Sequence, residues 1–329
     1  MRVLIVKLSS LGDVVHAMPA VQDMRAALPG VRIDWVVEQA FAPLVQRCDG
    51  VSRVITSSLR HWRAAPLSRQ TRSEWRSFRA ELRREAYDAV IDLQGLTKSA
   101  LVSQLARLAP RGKRYALANR TEGSSWEVPT RWVADVAVPV EPRSHAVLRS
   151  RVLCARALGY EVPRFMYFGL LAQAAQGFAA TGSAHEEVAL AHGSSRQDKC
   201  WPQEHWIALG RRLLAAGNSV GLPHGSAVER ERSEQLAAAL GPRARVWPAL
   251  PLGALADRLA GCAGVIGVDS GLSHMAVALD LPHVQIYNFD TAWRTGPPQA
   301  NGRQHSVFAQ PTPTVDTVWH AWQAARAHL

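Results

Sequence analysis

Three short stretches of this chain combine charge, hydroxyls and small residues in ways that could support group transfer. The first, Lys7-Leu-Ser-Ser-Leu-Gly-Asp13, sets a carboxylate in the loop between an apolar run and a helical pattern. An aspartate there commonly caps the helix; facing a cleft, the same carboxylate can serve as general base towards a hydroxyl. The positive end of the helix favours its ionised form in either role. The second is His192-Gly-Ser194-Ser195-Arg-Gln-Asp-Lys199-Cys-Trp-Pro-Gln-Glu-His-Trp206. Its small residues let backbone amides approach phosphate oxygens and Lys199 adds a point charge, although the same residues also describe a solvated loop with an exposed lysine. The third is Val268-Asp269-Ser270-Gly271-Leu-Ser-His274. A helix opening with Ser270-Gly271 can cradle a diphosphate on its amides; capping by Asp269 or Ser270 is the alternative, and His274 would then be a core or interface histidine. Glu229 opens another helix, where it can accept from a ribose or complement the helix dipole.

The elements that must position these residues alternate regularly. Apolar runs over 2–8, 32–37, 51–55 and 87–93 read as buried strands, with a helix over 14–28 and another over 146–158. Residues 161–187, with scattered Gly, Ala and Pro, hold the expected domain boundary, which we place at 170/171. The pattern then restarts, with strands at 188–190, 219–222, 265–268 and 283–287. Helices are expected at 202–216, 226–240, 252–260, 272–279 and 314–327. Alternating strands and helices imply an α/β fold with parallel sheets wrapped on both faces. Two such halves are expected to face one another, with ligands at the carboxyl ends of the strands.

Composition narrows the function. With 47% hydrophobic and 20% charged residues, the chain reads as an ordinary globular protein. No apolar run reaches the ~18 residues that span a bilayer, and Lys7 interrupts the N-terminal run, so a cytoplasmic protein is expected. The four cysteines, Cys48, Cys154, Cys200 and Cys262, form no Cys-x-x-Cys and read as reduced thiols. No Gly-x-Gly-x-x-Gly follows the first strand and no Gly-Lys-Ser/Thr loop is present, which argues against dinucleotide enzymes and ATPases. A net charge of +11, from 38 basic and 27 acidic residues, favours anionic partners. Much of it lies at Arg60, Arg63, Arg69, Arg72, Arg76, Arg79, Arg83 and Arg84, against Glu74, Glu81 and Glu85. The cluster lacks a recognisable nucleic-acid module, so no nucleic-acid partner is expected.

These residues carry a resemblance to the heptosyltransferases of glycosyltransferase family nine. It rests on the opening Arg2-Val-Leu-Ile-Val-Lys-Leu-Ser-Ser-Leu-Gly-Asp-Val-Val-His16, on Asp34-Trp-Val-Val-Glu38, and on Tyr87-Asp-Ala-Val-Ile-Asp-Leu-Gln-Gly-Leu-Thr-Lys-Ser99. It extends to Asp198-Lys-Cys-Trp-Pro-Gln-Glu-His-Trp206 and Val268-Asp-Ser-Gly-Leu-Ser-His274, so it spans nearly the whole chain in order. The resemblance implies a GT-B architecture: an acceptor-binding Rossmann-like domain over 1–170 and a nucleotide-sugar domain over 171–329, the last helix packing back on the first. It implies ADP-L-glycero-D-manno-heptose as donor, Kdo2-lipid A as acceptor, inversion at the anomeric carbon, and no metal or other cofactor. Location on the cytoplasmic face of the inner membrane, against its anionic surface, follows from that acceptor. By position, Asp13 becomes the general base. Ser10, Ser194, Ser195, Lys199, Ser270, Gly271 and His274 fall to the donor, with Glu229 at the ribose, Leu250 at the adenine and Asp269 at the heptose. Arg60, Arg63, Lys98 and Arg120 fall to the anionic acceptor. The chain departs from the family at Tyr287-Asn-Phe-Asp-Thr-Ala-Trp293, where members often carry Tyr-Gly-Pro-Thr, and matches loosely over 118–126.

Overall fold

The computed structural model describes residues 1–172, 186–298 and 301–327. The chain divides into two compact units, Met1–Leu170 and Leu171–Leu329. The segment expected to hold the boundary lies partly outside the described residues.

The first unit runs β1 (Arg2–Val6), α1 (Leu11–Ala27), β2 (Arg32–Glu38), α2 (Ala42–Val45), β3 (Val51–Ser57), α3 (Leu59–Ala64), α4 (Arg69–Arg83), β4 (Tyr87–Asp92), α5 (Thr97–Leu105), β5 (Leu108–Leu117), α6 (Pro129–Val133), β6 (Val136–Val138) and α7 (Ala146–Leu158). Its six strands are all parallel and lie in the order β3-β2-β1-β4-β5-β6. Right-handed crossovers send α1 to one face and the α4–α6 group to the other. The observed packing agrees, with α1 on α7, α4 on α5, and α5 on α6. A strand covered on both faces must be apolar throughout, and Val3, Leu4, Ile5 and Val6 of β1 are fully buried.

The second unit repeats the plan with β7 (Glu187–Ala191), α8 (Gln203–Ala215), β8 (Ser219–Leu222), α9 (Ala227–Leu240), β9 (Ala244–Val246), α10 (Leu252–Ala260), β10 (Gly264–Val268), α11 (Gly271–Ala278), β11 (His283–Tyr287), α12 (Ala292–Thr295), β12 (Gln304–Phe308) and α13 (Val315–Arg326). The strand order β12-β11-β10-β7-β8-β9 is the same winding. Trp201 and Trp206 anchor its core together with Leu190, Ile266 and Ile286. The last helix, α13, packs on β11, β12 and α8 of its own unit, where Val318 and Trp322 complete the core.

Four strands escaped the sequence reading: β5, β6, β9 and β12. The last three are sheet edges, where one side needs no strand partner and runs are short or polar. β5 opens Leu-Ala-Pro-Arg-Gly-Lys-Arg, and its pairing with β4 shifts register between Tyr87 and Ala89.

Candidate active site

In this strand order the sequence of strands reverses between β1 and β4, the position at which sheets of this kind bind ligands. The two loops that leave these strands are stitched together. Gln94 Oε1 accepts from the Leu8 and Ser9 amides at 3.0 and 3.1 Å, and Lys7 Nζ donates to the Leu93 carbonyl at 3.0 Å. Lys98, on the first turn of α5, donates to Ser9 Oγ at 3.2 Å.

Asp13 sits beside this seam. Ser10, not Asp13, occupies the N-cap of α1; Asp13 lies in the first turn, and its Oδ2 accepts from the Ser10 amide and hydroxyl at 3.2 and 3.1 Å. Its Oδ1 faces two cations, Lys7 Nζ at 3.5 Å and Arg149 at 3.9 Å. Burial pushes the carboxyl upward, but Lys7, Arg149 and the Ser10 donors outweigh it and hold it below the usual carboxylate range. The side chain keeps 35% of its surface exposed, so an ionised oxygen remains within reach of a substrate. Both cations are held from behind. Lys7 is buried, which lowers its amine below the usual value despite Asp13 and Asp92. Arg149 reaches from α7, its other nitrogen donating to Thr121 Oγ1 at 2.9 Å.

The basic residues expected at the acceptor fall in two places. Lys98 and exposed Arg60 both act on Glu38, at the end of β2. Burial raises the Glu38 carboxyl, these cations and the Leu59 amide pull against it, and Oε1 has no partner among the described residues. Arg63 is exposed on the same short helix as Arg60. Arg120 lies in the loop after β5, where it is exposed and donates to the Ser124 carbonyl at 3.3 Å.

Asp92 supports the loop after β4 from beneath. Its Oδ1 accepts from the Gln94 and Gly95 amides at 2.9 and 3.0 Å, and its Oδ2 from Ser99 Oγ at 2.9 Å. Gly95 takes φ +76°, a conformation a side chain would strain. Burial nevertheless drives the Asp92 carboxyl up to about 6, against its amide, hydroxyl and Lys7 contacts. A carboxyl raised on folding binds its proton more tightly in the native state, so stability falls as pH rises from about 4 to about 6. Asp92→Asn preserves the geometry: the amide oxygen takes the two backbone donors, and the amide nitrogen donates to Ser99 Oγ. We expect thermal denaturation across that window to lose the downward step; an unchanged step would show that Asp92 is not its source.

In the second unit the order reverses between β7 and β10, and Asp269 lies at the crossing of their loops. It is buried, and its carboxylate collects donors from four segments. Lys199 Nζ donates to Oδ2 at 2.6 Å, while Oδ1 is met by His274 Nε2 at 3.4 Å, Gln285 at 3.3 Å and Thr295 Oγ1 at 3.3 Å. Burial pushes this carboxyl up, but His274 and Lys199 hold it well below the usual range. Lys199 is therefore a member of a charge cluster, not a free surface lysine, and its ammonium keeps donors beyond the one given to Asp269. Ser194 Oγ contacts the Asp269 carbonyl at 3.4 Å, while Ser195 is exposed on the same loop. Ser270 is the N-cap of α11, and its buried hydroxyl has no partner among the described residues. Gly271 opens that helix, presenting its first amides.

Glu229 lies over the β7 loop. A Cβ on Gly193 would crowd the Glu229 carboxylate, so the glycine lets that side chain lie close against the loop. Glu229 Oε2 accepts from the Gly225 amide at 2.6 Å. Leu250 is partly exposed in the loop between β9 and α10. The divergent loop after β11 is tied in as well: Asn288 donates to the carbonyls of Asp198 and Cys200 at 2.9 and 3.0 Å.

The sequence reading quoted Lys7 and Glu38 without assigning either a role and passed over Arg149, Gln285 and Thr295. A lysine interrupting a wholly buried strand was the available signal for Lys7. Nothing in the spacing marked the others.

Residues 75–320 match glycosyltransferase family 9 (heptosyltransferase). Lipopolysaccharide heptosyltransferase 1 of Escherichia coli (strain K12) is 40% identical over 288 residues, 87% of this chain and 88% of that protein. The protein of the same description from Pseudomonas aeruginosa is 39% identical over 87% of this chain and 78% of its own. Among solved structures, E. coli heptosyltransferase WaaC with ADP superposes with a TM-score of 0.84 at 34% identity, covering 99% of this chain and 100% of that one.

Proposed function

The chain belongs to glycosyltransferase family 9, the heptosyltransferases, and from that premise we propose that it moves L-glycero-D-manno-heptose from ADP-heptose to a Kdo hydroxyl of Kdo2-lipid A. It is a glycosyltransferase of GT-B architecture that acts in building the lipopolysaccharide inner core. Inversion, independence of metal, the acceptor and the division of labour between the units are our reading. The observation that carries it is Asp13: an ionised, partly exposed carboxylate at the switch point of the first sheet, held by Lys7 and Arg149.

In this reading Asp13 takes the proton of the Kdo hydroxyl as its oxygen attacks the anomeric carbon. The bond from that carbon to the β-phosphate oxygen breaks on the opposite side, which inverts the configuration, and ADP leaves with the electron pair. Lys199, Ser194, Ser195 and the amides of Ser270 and Gly271 supply positive charge and donors for the departing phosphates. Asp269 holds Lys199 in place and lies near the heptose, with His274 behind it. Glu229 accepts from the ribose, Leu250 lies against the adenine, and Ser10 completes the donor side. Arg60, Arg63, Lys98 and Arg120 meet the carboxylates and phosphates of the acceptor, which the protein reaches at the anionic face of the inner membrane.

Product analysis with ADP-heptose and purified Kdo2-lipid A, beside an acceptor that already carries one heptose, tests this directly. Addition of a single heptose to Kdo2-lipid A is expected, undiminished by excess chelator. Transfer only to the heptosylated acceptor would move the chain to the heptosyltransferase 2 reaction, whose E. coli protein is 26% identical to it. Loss of turnover with chelator would overturn the metal-free mechanism.

A further inference from the structure

We propose that the outer surface of the α4–α5–α6 layer is the face that docks on an anionic lipid bilayer, with Trp132 as its inserted anchor. The inference rests on the proposed function, since a lipid-linked acceptor is what makes a membrane the partner. It adds which face meets the bilayer and by which residues.

Charge supplies the first half of the argument. On α4, Arg69, Arg72, Arg76, Arg79 and Arg83 recur at spacings of three and four residues, so they form one stripe along the helix. All five are exposed, while Thr71, Phe78 and Leu82 turn inward. The acids of the segment are engaged elsewhere. Glu74 accepts from Trp62 and Gln70 at 2.7 and 2.8 Å, Glu81 pairs with Arg53 at 3.2 Å and Arg84 at 3.8 Å, and Glu85 pairs with Arg2. The stripe thus keeps its charge for an external anion, and planar guanidinium groups suit phosphate.

Exposed apolar side chains supply the second half. Trp132 of α6 is 78% exposed, Leu101 of α5 48%, and Val128, one turn before Trp132, 46%. Glu127 accepts from the Thr97 amide at 2.7 Å, which ties the start of α5 to the residues leading into α6. The two helices also pack on each other, so Leu101, Val128 and Trp132 are carried by adjoining elements of one layer. Leu67, just ahead of the arginine stripe, is 83% exposed. An indole beside aliphatic side chains, bordered by arginines, matches the headgroup–acyl boundary of a bilayer. Single-stranded nucleic acid would call for aromatic platforms to stack its bases, and three of these four side chains are aliphatic.

Co-sedimentation of the full chain with phosphatidylcholine vesicles, with and without ~30 mol% phosphatidylglycerol, tests the assignment. Wild type is expected to bind only the anionic vesicles. Arg72→Ser/Arg76→Ser/Arg79→Ser should weaken partitioning by about a hundredfold, and Trp132→Ser by about tenfold. Both variants should melt as wild type does and retain wild-type turnover on an acceptor stripped of its acyl chains. Absence of binding to anionic vesicles, or variants that bind as well as wild type, would overturn the proposal. So would capture by single-stranded RNA without capture by vesicles. Vesicle binding is read without turnover, so a wild type that binds them yet transfers no heptose would defeat the proposed acceptor and keep the docking face.

Discussion

Asp13→Asn is expected to lower turnover by about 10²–10⁴-fold with little change in the affinity for ADP. The substitution removes one charge and hardly any volume. The amide oxygen can still accept from the Ser10 amide, which supports the first turn of α1. What disappears is the anion facing Lys7 and Arg149, the group proposed to receive the acceptor's proton. Steady-state kinetics separates the cases: a fall in kcat at constant donor KM fits a lost base, whereas a rise in KM alone would make Asp13 a binding residue. Unchanged kinetics would remove it from the mechanism.

The same cations pose a physical problem that the kinetics can examine. Lys7 and Arg149 lower the carboxyl, which keeps it ionised but makes it a weaker base. The arrangement exchanges proton affinity for a carboxylate that is always ready and firmly oriented, a useful exchange when departure of ADP supplies much of the driving force. Lys7→Met tests it, because a residue that merely filled the core would leave the pH profile alone. Burial would then act on Asp13 against Arg149 and Ser10 only, and the acid limb of kcat should move to higher pH. A limb that stays in place would deny Lys7 this role.

How much of this was legible in the sequence follows from where each contact originates. The loops of both halves announce themselves, since Asp13, Lys199, Asp269 and Ser270 all stand where apolar strands give way to helices. The central strands were legible for a related reason: residues buried on both faces, such as those of β1 and β10, must be apolar throughout. The edge strand β12, Gln-His-Ser-Val-Phe, carries no such constraint and offered no pattern. Partnerships were harder still. Arg149 meets Asp13 because α7 packs on α1, and Thr295 meets Asp269 because a short helix after β11 folds back over the β10 loop. Such contacts arise only when the sheet order is known. The place of Asp269 at a strand end was legible, but the four donors of its own unit that engage its oxygens were not.

That engagement makes Lys199→Ala the second large effect, and it should act in two separable ways. In the proposed mechanism the ammonium stabilises the departing diphosphate, so its loss should lower kcat by about 10²–10³-fold. It also neutralises a buried carboxylate 2.6 Å away. With Lys199 gone, His274, Gln285 and Thr295 alone remain to offset the burial of Asp269, and the fold should lose about 1–3 kcal/mol. The cost stays below that of a fully buried pair because the lysine side chain is 20% exposed. The sign with pH is fixed: a carboxyl lowered on folding stabilises the native state above about pH 4 and gives that up as pH falls through its lower folded value. Removing Lys199 lessens the lowering, so acid unfolding should begin at higher pH than in wild type. Adding Asp269→Asn separates the two effects, since the neutral amide needs no counter-ion. Lys199→Ala/Asp269→Asn should recover much of the thermal stability and none of the turnover. Turnover returning together with stability would show that Lys199 serves the fold through Asp269 and has no direct part in the departure of ADP.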